Sequence, residues 1–295
     1  MKFWRNILKG GLTFFIAIIG LYYLQEQTIS SWFGEDSDGY SSQQIYVLDR
    51  ETKTVILEKN AQQKTYPASL AKMMTTLVAL EHIDDLAAVA PVDTASYQRM
   101  VELNASMAGF YGQETTTYRD LLYGTMLPSG GEAANSLAIN VAGNVADFVV
   151  LMNDKADEIG LEQTYFTNAE GLHEENQTTT AYDMALLLDY ALQNGHFRAI
   201  FMKPQFTTSS TMDHPEGVQL HSTVFTNLPL EEIVGFEILG GKSGTTYEAG
   251  QCWAILGTKN GKEYISIVMG AELENIRKPN YSQIADTIKI FQEIE

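Results

Sequence analysis

Gln251-Cys-Trp-Ala-Ile-Leu-Gly-Thr-Lys259, Asn260-Gly261 and Glu263-Tyr-Ile-Ser-Ile-Val-Met-Gly-Ala271 make up the stretch on which the fold turns. Two runs rich in β-branched and aromatic residues flank Asn-Gly, the dipeptide best suited to a two-residue hairpin turn. Far upstream, Gln44-Ile-Tyr-Val-Leu-Asp49 and Thr54-Val-Ile-Leu-Glu-Lys59 surround a polar turn and read as a second hairpin. Helical patterns fill the interval at Ser69 to Glu81, Thr117 to Met126, Glu132 to Ala142, Val145 to Ile159 and Thr180 to Gln193. A last helical pattern runs from Tyr281 to Phe291. Strands therefore bracket a helical middle. If the first hairpin pairs with the last strands, the result is a mixed α+β domain: one antiparallel sheet, a terminal helix over one face, and a helical insert. No internal repeat, low-complexity tract or second-domain boundary interrupts it.

The composition narrows the function. With 45% hydrophobic residues and 7 Pro in 295, the chain has the means to build a core. Its 19 Lys+Arg against 37 Asp+Glu give a net charge of −18, which argues against a nucleic-acid partner because a run of phosphates would go unneutralised. The single cysteine, Cys252, excludes an internal disulfide framework and a multi-cysteine zinc site. It sits in an apolar strand run and reads as core, not as a nucleophile. The five histidines show no HExxH pairing, so no helix-borne metal is expected.

Lys2, Arg5 and Lys9 precede an uncharged stretch from Gly10 to Gln25, with Tyr22 and Tyr23 near its end. Eighteen residues counted from Ile7 would reach about 27 Å as a helix, close to the roughly 30 Å of a bilayer core. The basic flank predicts that this end stays cytoplasmic. Residues 1–29 are expected to be an uncleaved membrane anchor. A cleaved signal peptide is the alternative, with only Thr28-Ile29-Ser30 as a weak cleavage site. Either way the remainder is expected outside the cytoplasm: a polar linker over 30–43, then a domain over 44–295.

Three short segments carry chemistry. Pro67-Ala68-Ser69-Leu70-Ala71-Lys72 opens a predicted helix. A serine there meets the positive end of the helix dipole, and a lysine three residues on shares its face. Such an amine can take the hydroxyl proton if burial or a neighbouring cation lowers its pKa. An N-cap serine beside an unrelated lysine has the same spacing, so this segment alone decides nothing. Pro128-Ser129-Gly130-Gly131-Glu132 falls between two helical patterns and also suits a plain interhelical turn. Gly241-Lys242-Ser243-Gly244-Thr245-Thr246 places the only Lys or Arg between Pro204 and Thr258 beside hydroxyls and glycines. That pattern fits an edge strand receiving a carboxylate, or a simple turn.

Order and spacing together change the odds. Ser-x-x-Lys, a second serine and then Lys-Ser-Gly follow the motif trio of penicillin-recognising serine enzymes. The chain resembles the low-molecular-mass penicillin-binding proteins that act as serine-type D-alanyl-D-alanine carboxypeptidases. The likeness is carried by Pro67 to Thr75, by Leu122 to Leu137, by Phe166-Thr-Asn168-Ala-Glu-Gly171-Leu172 with Thr180-Ala-Tyr-Asp183, and by Phe225-Thr-Asn227-Leu. Gly240 to Thr245 and Ala249-Gly-Gln-Cys252 complete it, so it covers about residues 44 to 292.

The resemblance implies a penicillin-binding protein/β-lactamase-like fold and removal of the terminal D-alanine from peptidoglycan stem peptides, with β-lactams as inhibitors and a role in the cell wall and cell shape. It implies Ser69 as nucleophile, Lys72 as general base, and Ser129 as a proton relay bridging two lysines. Lys242 would add a positive field that helps keep Lys72 neutral and, with Ser243 and Thr245, receive the substrate carboxylate. Backbone N–H groups of Ser69 and Thr245 would hold the oxyanion. No metal or organic cofactor is implied. Arg277 is a further candidate for the carboxylate; Glu170 lacks the Glu-x-x-Leu-Asn context of a β-lactamase base and reads as a loop acid.

Three departures stand out. Gly131 occupies the place of the family's usual asparagine, and Lys-Ser-Gly replaces Lys-Thr-Gly. The sequence also stops after one catalytic domain, where many relatives continue into a β-rich domain and an amphipathic tail; the N-terminal anchor is expected to serve in the tail's place. Losing the asparagine's one or two hydrogen bonds is worth about 0.5–3 kcal/mol. A slow enzyme is therefore expected, which a Gly131→Asn variant would speed up. A catalytically impaired cell-wall-binding module is the alternative that Gly131 favours. A β-lactamase or esterase comes third.

Overall fold

The computed structural model describes residues 39–295, so the expected anchor and most of the expected linker lie outside the described residues. Ser42 to Glu295 forms one compact unit. The chain opens with β1 (Gln44–Asp49) and β2 (Val55–Lys59), and a 3-10 turn at Ala68–Ala71 leads into α1 (Lys72–His82). A short ribbon of β3 (Val89–Pro91) and β4 (Thr115–Thr117) encloses α2 (Thr94–Glu102). Next come α3 (Tyr118–Met126), α4 (Gly131–Ala142), α5 (Val145–Ile159), α6 (Ala181–Ala191) and α7 (Gly195–Phe201). A second ribbon pairs β5 (Gln205–Thr207) with β6 (Gln219–His221), and α8 (Thr223–Asn227) follows. The chain closes with β7 (Glu237–Thr246), β8 (Gly250–Lys259), β9 (Lys262–Ala271) and α9 (Ser282–Glu293).

The main sheet has the order β2-β1-β9-β8-β7 and is antiparallel throughout. The first hairpin does join the last strands, with Tyr46 opposite Ile267 and Leu48 opposite Ile265. Pairing starts before Gln44: the Gln43 N–H donates to the Met269 carbonyl, and Ser42 donates through its N–H and Oγ to Asp286 Oδ2 at 2.6 and 2.7 Å. At the other hairpin, Asn260 and Gly261 have φ of 53° and 78°, the two left-handed positions of a type I′ turn.

Strand alternation divides the sheet between two cores. Tyr46, Leu48, Ala254, Leu256, Ile265 and Ile267 belong to the large core shared with the helices. The intervening residues, among them Trp253, Ile255 and Val268, are just as buried but point the opposite way, where α9 lies. Phe291 of α9 stacks on Phe236 at 5.2 Å and meets Tyr264 edge-on. Both faces are covered, so β8 reads as a nearly unbroken apolar run. Cys252 is fully buried in β8, and burial pushes its thiol up to about 12, which suits a core residue.

In the helical part, α1 is the central element: all residues from Lys72 to Leu80 are buried. A helix surrounded on all sides has no polar face to show. Met73 and Met74 are both inaccessible. Lys72 therefore enters the interior at the first position of a core helix. Removing the Phe291 ring should cost about 3–5 kcal/mol, the range for emptying a buried aromatic site. Urea unfolding of Phe291→Ala should show that loss, with Ser69 reactivity unchanged in the protein that remains folded.

Candidate active site

Ser69 lies in the 3-10 turn immediately before α1, and the sequence dictates that turn. Pro67 brings a fixed φ, and its carbonyl accepts from the Leu70 N–H. Ala68 then takes φ of 46°, an unusual conformation for a residue with a Cβ. Two glycines hold it there. A Cβ on Gly171 would lie 2.1 Å from the Ala68 carbonyl oxygen, and one on Gly244 would lie 3.0 Å from the Ser69 nitrogen. The backbone of β7 and the 168–172 loop can therefore close directly onto the serine.

Lys72 Nζ stands 3.2 Å from Ser69 Oγ, as the one-turn spacing predicts. It also donates to the backbone carbonyl of Glu170. The amine is only 2% exposed, and burial brings its pKa down to about 8 against the opposing charges of Glu170 and Glu132. Ser129, between α3 and α4, has φ of 65°. Its Oγ accepts from Lys242 Nζ at 2.9 Å, and the same amine donates to the Ser243 carbonyl at 2.7 Å. Lys242 is completely buried on β7, an edge strand.

Two expectations need amending. Among the described residues Ser129 bonds to Lys242 and not to both lysines, while Lys72 bonds to Ser69 and the Glu170 carbonyl. The depression of Lys72 comes from burial, whereas the charge coupling between the amines falls on Lys242, which burial and then Lys72 hold well below the usual lysine range. Ser243 shares its hydroxyl with Thr223 at 2.6 Å.

A cleft of ≈270 Å³ opens over the serine, lined by Ser69, Lys72, Gly131, Glu170 and Thr245 with Asn104 and Ser106 at its rim. Arg277 is exposed, its N–H bonded to Asn275 Oδ1, and its neighbour Ile276 lines the cleft instead. Glu170 is no ordinary loop acid: it is 4% exposed and beside Lys72. Glu132, which could have reached toward the cleft in place of an asparagine, accepts instead from the N–H groups of Ala108 and Gly109 at 2.7 and 3.0 Å. Asn135 lines a second cavity on the far side of Glu170.

The space beside Gly131 is occupied. A Cβ there would lie 2.5 Å from Met100 Sδ, and the Gly131 N–H is held by the Ser106 carbonyl at 2.8 Å. Met100 belongs to α2, which the helical patterns above do not include. The signal for α2 was local: Asp93 caps it by accepting from the Ser96 N–H at 2.7 Å.

Known proteins share this sequence pattern and fold. The D-alanyl-D-alanine carboxypeptidase family matches residues 33–273. D-alanyl-D-alanine carboxypeptidase DacF of Bacillus subtilis is 28% identical over 257 residues, which is 84% of this chain and 62% of DacF. DacC of Escherichia coli is 28% identical over 94% of this chain and 68% of its own length. The chain thus spans about two thirds of these two relatives. The crystal structure of the Streptomyces K15 DD-transpeptidase superposes with a TM-score of 0.75 at 27% identity, covering 86% of this chain and 96% of that one. A D-alanyl-D-alanine carboxypeptidase structure from Mycobacterium tuberculosis gives 0.71 at 25% identity, covering 85% and 90%. With the serine–lysine pair at the mouth of its cleft and the family match running through both chemistry-bearing strands and helices, this chain belongs to the D-alanyl-D-alanine carboxypeptidase family.

Proposed function

We propose that the chain is a serine peptidase that removes the terminal D-alanine from peptidoglycan stem peptides. The observation that carries this reading is the contact between Ser69 Oγ and a buried lysine amine whose pKa lies near 8. Lys72, as free amine, takes the Ser69 proton while Oγ bonds to the carbonyl carbon of the penultimate D-alanine. The Ser69 and Thr245 N–H groups are positioned candidates for the oxyanion, because Gly244 lets β7 close onto the serine. As the C–N bond breaks, Ser129 passes a proton to the departing amine and is resupplied through Lys242, its hydrogen-bond partner. The proton held on Lys72 then returns through water in the cleft to Lys242, which leaves Lys72 a free amine again. Water attacks the ester and gives one proton to Lys72, and Oγ leaves with that proton.

Lys242, Ser243 and Thr245 are the proposed carboxylate subsite. A substrate carboxylate beside Lys242 would offset the burial that suppresses its charge, so binding itself would restore the ammonium. β-Lactams, whose amide and carboxylate mimic the acyl-D-Ala-D-Ala end, should acylate the same serine.

The N-terminal basic and apolar sequence supports attachment to the extracytoplasmic face of a membrane. Among the described residues no single helix is long and apolar enough to cross one.

Incubation with diacetyl-Lys-D-Ala-D-Ala should release D-alanine, and intact mass should show one β-lactam adduct, both absent in Ser69→Ala. An adduct surviving on the alanine variant would place the nucleophile elsewhere.

The pH dependence follows from the sign of the Lys72 shift. The amine is protonated below about 8 and free above it, so acylation should rise with pH and level off beyond about 8. Lys72→Arg should be inert, since a guanidinium stays protonated. Acylation by Lys72→Arg at more than a small fraction of the wild-type rate would remove Lys72 from the role of base.

Met100 changes what Gly131→Asn can do. Alone, the asparagine must displace a fully buried methionine, an overpacking cost of about 1–3 kcal/mol. The single variant should lose stability without gaining acylation rate. The double variant Met100→Ala/Gly131→Asn should acylate faster than either single one. Thermal unfolding together with acylation kinetics checks both outcomes; a stable, faster single variant would show that Met100 yields freely.

A further inference from the structure

Glu170 has no part in the chemistry described so far, yet it lies against the proposed base. Its backbone carbonyl accepts from Lys72 Nζ. The loop that carries it is fixed: Asn168 Oδ1 accepts from the Gly171 N–H at 2.7 Å, and Gly171 is packed on the Ala68 carbonyl. The carboxyl is 4% exposed, and its Oε2 has no hydrogen-bond partner among the described residues. A buried acceptor of this kind is rare enough to need a reason.

Glu170 also occupies a distinctive place. Behind it lies the second cavity, ≈460 Å³, lined by Arg99, Asn135, Asn168 and Glu174 among others. Glu170 alone, of the described residues, lines both this cavity and the cleft over Ser69. Asn135 Oδ1, on the same second cavity, is likewise without a partner. The cavity is large enough for water, and Arg99, Asn135, Asn168 and Glu174 on its wall offer polar partners.

The charges around the carboxyl come from several elements. Lys72 of α1 and Arg99 of α2 favour its ionised form, while Glu174 of its own loop and above all burial oppose it. Glu132 of α4 acts on Lys72, and Lys242 of β7 is coupled to Lys72. Burial thus lowers the lysine and raises the acid. Moving one proton between them replaces two buried charges with none.

We propose that Glu170 is the proton acceptor that converts Lys72 to its free amine and exchanges that proton with water in the second cavity. The inference rests on the reading of Lys72 as base. Among the described residues the carboxyl makes no ion pair with Nζ, so the proton crosses through water in the cleft that both residues line. One N–H bond of the ammonium breaks, its electron pair stays on Nζ, and the water that takes this proton gives up one of its own. One O–H bond forms on the Glu170 carboxylate, and the proton later returns to Lys72 or leaves through the second cavity. Glu170 acts only through Lys72 and is a positioning residue.

The pH profile of β-lactam acylation tests it. A lone lysine loses a tenfold rate for each pH unit below its pKa. A pair holding one proton between them keeps a constant fraction of free amine between its two macroscopic pKa values, so a flat shoulder appears. Wild type should show the shoulder on the acid side of about pH 8. Glu170→Gln, which keeps the carbonyl contact and the side-chain shape, should lose it and fall tenfold per unit. Identical profile shapes in the two proteins would overturn the proposal. So would a wild-type profile without a shoulder, which decides the matter even if the variant fails to fold. Lys72→Arg separates the two readings: if it acylates, the base assignment fails; if it is inert while Glu170→Gln matches wild type, only this inference fails.

Discussion

Two lysine amines out of contact with water constrain everything around them. Lys72 is 2% exposed and Lys242 not at all. An unpaired ammonium in such a place would be costly, so each must lose its charge, find acceptors, or do both. Lys72 finds Ser69 and the Glu170 carbonyl, and Lys242 finds Ser129 and the Ser243 carbonyl. Those four acceptors come from four separate segments of the chain. Satisfying Lys72 therefore ties the 3-10 turn and the start of α1 to the 168–172 loop, and satisfying Lys242 ties β7 to the α3–α4 connection. The electrostatic demand and the catalytic arrangement are one requirement.

The second constraint is steric. Backbone has to touch backbone around the nucleophile, and it can do so only where side chains are missing. Gly171 and Gly244 give that contact on two sides of Ala68 and Ser69. Gly130 allows a like approach within the α3–α4 connection, where a Cβ would lie 2.8 Å from the Ala108 nitrogen and 2.9 Å from the Gly124 carbonyl oxygen. Conformational strain is concentrated in the same region: Ala68 and Ser129 both hold positive φ without being glycine. Strain of this kind persists where surrounding structure over-determines it, which is the condition that a functional site meets.

The sheet was legible because its signals are local. Alternation and Asn260-Gly261 define β8 and β9, and the helical patterns at 69–81, 145–159 and 180–193 match elements found there. The serine–lysine contact was legible because helical geometry fixes a three-residue spacing. Other features depend on residues distant in sequence. Nothing around Gly131 says that Met100 fills its missing side chain. Glu170 looks like any loop acid until its burial against Lys72 is known. That Lys242, and not Lys72, holds Ser129 is decided by how β7 meets the α3–α4 connection. The helix at Thr94–Glu102 was missed because only Ser96 and Met100 are buried, leaving little apolar periodicity to read.

β7 ends the sheet, so its outer row of peptide groups is unpaired by any strand among the described residues. Such an edge is a template on which a second polypeptide can assemble, and an unguarded one promotes aggregation. Here the strand carries Gly240, Gly241 and Gly244, which weaken it as a template, and an amine turned inward at Lys242. The glycine that lets β7 close onto the serine thus also helps make the rim a poor template: short peptides can come and go, while persistent self-association is discouraged.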